Sequence, residues 1–421
     1  MSHPLKPTLY ETPLLKYDYK IWYGNHIWLH KQPLPLWLIA ISYKLFGLSE
    51  FVTRLPSLMF SFLAIIVTYL LGKTIFNKKI GLMSAFFFAV NGLIIEVGAG
   101  RIATDHYDTL FLVFIEIAVL FAYYNAQNRK YSYSVLSGVF MGFAILTKWL
   151  PCLIVLPIHF FFLLNAKTEA KITIKQISTS LITCLLIALP WQIFILNNYP
   201  LEARWEYYHH WLHVSNELDG QNGGYFYYLD KIRINYSEIV YLPVIYCGYI
   251  FYKQKLKNYN LFALLFWIIM PIIFFSFVKT KMQGYILFIC PALFIITSWF
   301  FFEIKDKYIN KNINKITITF VWILLFSIII LPVRYCFERT GFGFKKVEAK
   351  KYNYEYKNIK YVLPKKSIVL NVKEPIEFMF YNDCVAYSKS KLEESELAKI
   401  NSEGYLLFYY NEISGTVQRG N

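Results

Sequence analysis

Long apolar segments dominate this 421-residue chain and constrain its fold more than any other feature. About ten segments approach the ~20 apolar residues that an α-helix needs to cross a bilayer. They occupy residues 55–76, 80–98, 108–126, 131–147, 150–164, 177–196, 236–252, 261–278, 285–302 and 316–333. A shorter apolar segment, residues 33–46, is typical of a helix that lies in the membrane interface. The pattern predicts about ten transmembrane helices.

The composition excludes an ordinary soluble protein. Hydrophobic residues make up 56% of the chain and charged residues only 17%, and the mean hydropathy is +0.38. The net charge of +16 is typical of a membrane protein with basic cytoplasmic loops, so it does not indicate a nucleic-acid partner. We therefore expect an all-α polytopic protein of the cytoplasmic membrane.

Lysine and arginine residues concentrate in alternate loops between the apolar segments. The five basic loops lie at residues 78–79, 129–130, 167–175, 253–257 and 305–315. By the positive-inside rule these loops are cytoplasmic. The outer side then holds residues 1–54, 99–107, 197–235, 279–284, the turn at Lys148 and everything after residue 334. Lysines on this outer side oppose the charge bias, so they need a separate explanation.

The composition becomes that of a soluble protein from about residue 345. "YVLPKKSIVLNV" and "YLLFYYNE" have the pattern of strands, "EPIEFMFYND" that of a helix or turn, and "KLEESELAKINSEG" that of a polar amphipathic helix. This predicts a small extracytoplasmic α/β domain over residues 334–421. It would follow an outer-face segment with interfacial helices (1–54) and a transmembrane domain (55–333).

Three outer-face segments hold most of the residues that can do chemistry: "GNHIWLHKQPLPLW", "GRIATDHYDTLF" and "FSFVKTKMQGYILFICPAL". Their candidates are His30 and Lys31; Arg101, Asp105 and Asp108; and Lys279, Lys281 and Tyr285. Ionisable residues at membrane depth are costly and usually mark a functional site. The alternative for each lysine is an apolar stem along the membrane surface with the ammonium in water.

Asp105 and Asp108 are three residues apart, so on a helix they share one face. Two such carboxylates repel each other unless Arg101 or a ligand relieves them. The alternative is a solvated helix start, where aspartate complements the helix dipole. Together with the outer-face lysines, the carboxylates suit an anionic lipid donor and a base-catalysed transfer.

The long outer-face loop, residues 197–235, is rich in aromatic and polar residues. Loops of this length often act as lids or substrate platforms, and His213 and Glu217 are its candidate substrate residues together with His30. The mixture of histidine and glutamate is compatible with a divalent metal, but its spacing is not that of a known metal motif.

Four segments resemble one known family in the same order. "HKQPLPLWLIAISYKLFGLSEFVTRLPS" is similar to the K-P-P-L-x-x-W…FG-x-SEF-x-x-RLPS block of the C-type membrane glycosyltransferases, and "GRIATDHYDTLF" to their R-x-x-x-T-D segment. "LTKWLPCLIVLPI" resembles their LTKG-P-x-x-x-LLP helix pair, and "FSFVKTKMQGYILFICPAL" their S-x-x-K-x-x-x-Y-x-L-P-x-x-P segment. The family includes protein O-mannosyltransferases and the aminoarabinose transferase that acts on lipid A.

The resemblance implies an enzyme that transfers a sugar, with inversion, from a polyprenyl-phosphate donor to a lipid, glycan or protein acceptor at the outer face of the membrane. It implies that Lys31 contacts the lipid phosphate, that Lys281 and Tyr285 line the donor region, and that Asp105 or Asp108 is an acidic residue of the cavity. The scheme requires no cofactor or metal. In this chain Gln32 replaces the first proline of the family's block.

Members of the family usually begin with a membrane helix and an outer loop that carries an acidic residue, commonly the catalytic base. The present sequence starts after that point, so we expect either a truncated chain or a substitute base at Glu11 or Asp18. Two other function classes remain to be tested. One is a multi-pass transporter or lipid flippase, which would show a duplicated pattern with charges near the membrane midplane. The other is a non-catalytic membrane scaffold.

Overall fold

Helices make up most of the computed structural model, which describes residues 3–10, 13–21, 26–102, 105–218, 220–309, 314–341, 355–359 and 363–420. The first seven helices are α1 (Pro33–Phe46), α2 (Glu50–Ile75), α3 (Lys78–Ala89), α4 (Gly92–Gly98), α5 (Asp108–Asn128), α6 (Tyr131–Lys148) and α7 (Val155–Asn165). The next seven are α8 (Ala170–Asn198), α9 (Pro200–Ser215), α10 (Tyr227–Tyr236), α11 (Tyr241–Lys253), α12 (Tyr259–Phe277), α13 (Cys290–Tyr308) and α14 (Lys315–Thr340).

Six of the described helices are long and apolar enough to cross a membrane, and a bent pair raises the number to seven. The six are α2, α5, α8, α12, α14 and the combination of residues 283–289 with α13. The chain is therefore a multi-pass membrane protein by the length and composition of its helices. The sequence predicted about ten spans. The structure gives six or seven because α6, α7 and α11, which were also predicted to span the membrane, are shorter or less apolar than the helices counted.

Two of the predicted spans are interrupted. The segment predicted over residues 80–98 consists of α3 and α4, which meet at an angle of 59°. Asn91 lies at the break, where its side chain accepts a hydrogen bond from the Ile94 amide and so caps α4. The segment predicted over residues 150–164 begins with a 3-10 turn, Leu150–Ile154, because Pro151 follows the end of α6.

Short polar side chains define where several helices begin. Ser49, Asn77, Asn258 and Asn314 each precede a helix and accept a hydrogen bond from an amide of its first turn. Such a cap satisfies one of the four amides that a helix start leaves without an intrahelical partner. The apolar runs therefore become helices with fixed starting points, which sets the position of the loops between them.

Close helix contacts depend on glycine. A methyl group added at Gly138 of α6 would overlap the Ser180 carbonyl oxygen and lie 2.7 Å from Thr183 Cβ, both on α8. At Gly142, one turn later, it would lie 2.6 Å from Ile187 Cβ. Small residues at such crossings let two helix backbones approach each other in a membrane.

We predict that Gly138→Ala destabilises the protein by about 1–3 kcal/mol, because overpacking forces the two helices apart. The measurement is thermal unfolding of the purified protein in detergent. The matched control is Gly248→Ala in α11, where an added methyl group meets no atom within 4 Å and helix propensity favours alanine. Equal melting temperatures for the two variants would contradict this packing.

The chain divides into two compact units. The first contains residues 31–198 and 207–342, and the second contains residues 3–30, 199–206 and 343–421. The two units are defined by the contacts that residues make within each of them. The domain boundaries at residues 54 and 333 were predicted from composition, and they stay a prediction. In the first unit α5 is the most buried of the long helices and α14 the least. Residues at the start of α5 therefore lie at the end of the best-packed helix.

The second unit contains a four-stranded sheet with the order β2-β1-β3-β4. Its elements are β1 (Ser367–Leu370), α15 (Pro375–Tyr381), β2 (Val385–Ala386), α16 (Glu394–Ser402), β3 (Leu406–Asn411) and β4 (Thr416–Arg419). β1 pairs in parallel with β2 and β3, and β4 is antiparallel to β3. Tyr10, Leu14 and Leu15 from the start of the chain pack in one apolar cluster with Ile368 and Leu370 of β1.

Candidate functional site

Lys31 forms an ion pair with Asp105. The lysine lies two residues before α1, whose first turn is fixed by the buried residues Pro33 and Pro35. Its Nζ donates to Asp105 Oδ2 at 2.9 Å and lies 6.0 Å from the ring centroid of Tyr107. Both charged side chains keep about 30% of their surface exposed. The ion pair is thus accessible to a ligand.

A second ion pair joins Lys148 to Asp108, which is three residues after Asp105. Asp108, the first residue of α5, is only 2% exposed and accepts a hydrogen bond from Lys148 Nζ at 2.5 Å. Lys148 is the last residue of α6, and its Nζ is 5.4 Å from the ring centroid of Tyr285. Two of the predicted site residues, Asp108 and Tyr285, therefore meet at a lysine that the sequence interpretation did not include in the site.

The expectation that Asp105 and Asp108 share one helical face is wrong. Asp105 lies before α5 and Asp108 begins it, so the two carboxylates have separate partners. Arg101 does not relieve them, because its side chain is exposed and donates to the Thr340 carbonyl at 3.1 Å. Each carboxylate instead pairs with its own lysine, whereas Arg101 or a ligand was expected to relieve the repulsion between them.

The loop that contains Asp105 has shifted pKa values. Burial raises the pKa of Asp105, but Lys31 and then Lys148 counteract this, so the net pKa lies below its usual range. Burial and the charge of Arg54 lower the pKa of His106, whose Nδ1 lies 2.5 Å from Ser57 Oγ. At neutral pH Asp105 is therefore a carboxylate and His106 is neutral.

The lowered pKa predicts how the stability of wild type and Lys31→Ala depends on pH. A carboxyl group with a lowered pKa in the folded state contributes stability above its unfolded pKa of about 3.9, and this contribution is lost as the pH falls through the folded value. We expect Lys31→Ala to melt below wild type at pH 7, with the two melting temperatures converging below about pH 4. Melting curves in detergent from pH 8 to 3 test this, and a constant difference would contradict it.

Lys281 was predicted to line the donor region, but its ammonium group is engaged by the backbone. Its Nζ donates to the carbonyls of Phe275, Ser276 and Val278 at 3.2, 2.7 and 2.7 Å. These three bonds cap the end of α12, and the residue is 4% exposed. Burial and the neighbouring Lys279 lower the pKa of Lys281. Contact with a lipid phosphate would require this lysine to release its three carbonyls.

The other predicted residues lie on or beside the long loop. The amides of Lys279 and Thr280 donate to the carbonyls of Val214 and His213, so the loop is tied to the turn after α12. The Lys279 side chain is exposed. Glu217 accepts a hydrogen bond from Asn222 Nδ2 at 3.2 Å. Its side chain is exposed, so Lys279 and Glu217 are both surface residues.

The remaining candidates lie in the second unit. His30 Nδ1 is 3.3 Å from Glu206 Oε2, which brings two metal-ligand types together. A divalent metal at these residues stays a prediction. Asp18 accepts a bond from the Lys20 amide in an exposed turn, and Glu11 lies outside the described residues.

The sequence interpretation missed Lys148 and the ion pair of Glu96 with Arg339. Arg339 Nε donates to Glu96 Oε2 at 2.6 Å, and its other nitrogens reach Asn235 and Gln283. A signal for Lys148 was present, because it is a lysine at the predicted outer end of an apolar run. The Glu96 pair joins α4 to α14 across 243 positions of sequence, so no local pattern indicates it.

Gln32, the departure from the family's proline, has a local role. Its side-chain oxygen accepts a hydrogen bond from Gln192 Nε2 at 3.0 Å. Gln192 also accepts a bond from the Tyr207 hydroxyl at 2.8 Å. An amide at position 32 therefore connects the start of α1 to α8 and α9, which a proline could not do because it has no side-chain polar group.

Comparisons with known proteins agree with the resemblance of the motifs. Residues 30–194 match the family described as "Dolichyl-phosphate-mannose-protein mannosyltransferase". An uncharacterized protein of Aquifex aeolicus is 26% identical over 340 residues, which cover 76% of this chain and 62% of the relative. An undecaprenyl phosphate-alpha-4-amino-4-deoxy-L-arabinose arabinosyl transferase of Pseudomonas fluorescens is 24% identical, over 60% of this chain and 46% of the relative.

The fold is also shared with a solved structure. The crystal structure of ArnT from Cupriavidus metallidurans bound to undecaprenyl phosphate superposes with a TM-score of 0.64 at 16% identity, covering 95% of this chain and 84% of that one. The chain spans about half to three fifths of the length of the curated relatives it matches. The matched segment, residues 30–194, is therefore similar to that mannosyltransferase family, and the fold over nearly the whole chain is similar to that of ArnT.

Proposed function

We propose that this protein transfers a sugar from a polyprenyl-phosphate donor to a lipid, glycan or protein acceptor at the outer face of the cytoplasmic membrane. The observation that carries the proposal is the pair of lysines, Lys31 and Lys148, each held by its own aspartate beside the start of α5. A lipid phosphate needs charge neutralisation in an environment of low dielectric constant, and two ammonium groups supply it. The relatives named for undecaprenyl phosphate donors support the same donor class.

The ion pairs suggest an order of events. The donor phosphate replaces Asp105 as the partner of Lys31, which is the more exposed of the two pairs. An acceptor hydroxyl then attacks the anomeric carbon as the bond between that carbon and the phosphate oxygen breaks. The electron pair of the broken bond leaves with the lipid phosphate, and the lysines stabilise its charge.

The acceptor proton passes to a carboxylate. A group with a lowered pKa is a weak proton acceptor, so we assign Asp105 to hold Lys31 in place before the donor binds. Asp108 is then the base. Its carboxylate becomes able to accept the proton when Lys148 turns away from it toward the phosphate. This transfer requires no metal or cofactor.

The topology belongs to the same proposal. We infer about ten spans, with the basic loops in the cytoplasm and the four-stranded sheet region as a domain outside it. The sign of the loop charges supports this orientation. It places Lys31, Asp105 and Lys148 on the side where a polyprenyl-linked sugar meets extracytoplasmic acceptors.

The test is sugar transfer by the purified protein in detergent. The substrate is a polyprenyl phosphate with a radiolabelled sugar, and the acceptor source is a membrane extract. We expect label to move to the acceptor fraction without sealed vesicles. Absence of transfer in detergent, combined with movement of the intact donor across proteoliposome membranes, would instead establish the alternative transporter or flippase function.

A further inference from the structure

Trp149 has a backbone conformation that only glycine adopts freely. Its φ is 75° and its ψ is −157°, in a region where a side chain clashes with the backbone. The residue directly follows Lys148 and ends α6. A large aromatic residue at such a position persists only when its surroundings hold it, and strain of this kind concentrates at functional sites.

Helix α9 holds the indole in place. Trp149 Nε1 donates a hydrogen bond to His210 Nε2 at 3.0 Å. The indole ring also packs against the rings of Tyr207 and His210, with centroids 5.4 and 5.6 Å away. The tryptophan is half-buried, so these three residues form a partly accessible aromatic wall.

The first residue of the wall, Trp149, directly follows Lys148 of the second ion pair in the chain. Consecutive Cα atoms are about 3.8 Å apart, so the backbone of Trp149 is one residue from that of Lys148, whose ammonium binds Asp108. A glycine would end α6 in the same conformation without strain. The fold alone therefore does not explain why a tryptophan occupies position 149.

We propose that Trp149, with Tyr207 and His210, binds the sugar ring of the donor and contributes to the choice of sugar. This inference rests on the proposed function. In a donor with a single phosphate the sugar is bonded directly to the group that Lys148 neutralises, so it lies beside this lysine. Tryptophan and tyrosine combine an apolar ring with one polar group, which matches the C–H faces and hydroxyl groups of a sugar.

The experiment compares two ligands: bare polyprenyl phosphate and polyprenyl phosphate that bears the sugar. Equilibrium binding of each is measured in detergent micelles with wild type, Trp149→Gly and Trp149→Phe. In Trp149→Gly we expect binding of the bare lipid to stay within about twofold and binding of the sugar-bearing lipid to weaken by about tenfold or more, the usual loss for one well-packed aromatic anchor. Trp149→Phe should lie between the two.

The matched control is Trp211→Ala, which removes an exposed tryptophan one residue from His210 on the same helix. It should leave the binding of both ligands unchanged. Equal weakening of both ligands in Trp149→Gly, or no weakening of either, would overturn this inference while the proposed function stands. A wild-type protein that binds neither ligand overturns the proposed function and this inference with it. Thermal unfolding checks that Trp149→Gly is folded, and Trp149→Phe carries the test if it is not.

Discussion

Lys148→Met is expected to lower the free energy of unfolding by about 3–5 kcal/mol, because it removes the ammonium group that pairs with the buried carboxylate of Asp108. Asp108 is 2% exposed, and its short bond from Lys148 joins α5 to α6. Asp108→Asn alone should be similarly destabilising, since Lys148 then loses the carboxylate that neutralises it. The double variant removes both charges, so it should recover a large part of the loss.

The measurement is unfolding of the four proteins of this double-mutant cycle in mixed detergent micelles. An exposed ion pair provides the control: Arg233 Nη2 lies 2.8 Å from Asp230 Oδ1, and both side chains are about half exposed. Arg233→Met should leave the melting temperature nearly unchanged, because solvent screens such pairs. A Lys148→Met protein as stable as wild type would show that Asp108 and Lys148 do not form a buried pair.

Lys31→Ala should reduce kcat/KM for sugar transfer by about 10²–10³-fold, the typical effect of removing one group that stabilises developing charge. Lys31→Arg keeps the charge, so part of the activity should return, although guanidinium and ammonium groups differ in geometry. The assay is transfer from a polyprenyl-phosphate sugar by purified protein. Lys44→Ala, an exposed lysine in the last turn of α1, is the matched control and should retain wild-type activity.

The sequence alone was sufficient to predict a mostly helical membrane protein, and it selected several charged residues that lie together in the structure. Lys31 and Asp105 were candidates because each is a charged residue in an apolar or proline-rich context on the predicted outer side, and the structure pairs them at 2.9 Å. Burial of charge is costly enough that such residues stand out in a membrane protein. Asp108 and Tyr285 were selected on the same grounds, and both lie at Lys148.

Other features could not be predicted because they depend on contacts between distant parts of the chain. Asp108 and Lys148 are 40 positions apart, and no pattern in one sequence indicates which lysine meets which aspartate. Lys281 was predicted to line the donor region, whereas in the structure its ammonium group donates to three carbonyls at the end of α12. A single sequence shows that a residue is charged, but not whether backbone carbonyls accept hydrogen bonds from it.

The break between α3 and α4 is an intermediate case. "VNGL" in the middle of the predicted span contains Asn91 and Gly92, and an Asn-Gly pair is a known turn signal. The sequence interpretation did not use that signal, so a single span was predicted over residues 80–98. In the structure Asn91 caps α4 and donates to the Asn235 carbonyl at 2.9 Å. The residue at the break is therefore held by a hydrogen bond to a distant part of the chain.

The most direct test of the donor site is the binding of bare polyprenyl phosphate to the purified protein in detergent, measured for wild type, Lys31→Ala and Lys44→Ala. Binding at Lys31 predicts a dissociation constant at least about tenfold weaker in Lys31→Ala, which corresponds to about 1.4 kcal/mol, and an unchanged value in Lys44→Ala. Equal affinity in all three proteins would contradict the assignment of Lys31 and Asp105 as the place where the donor phosphate binds.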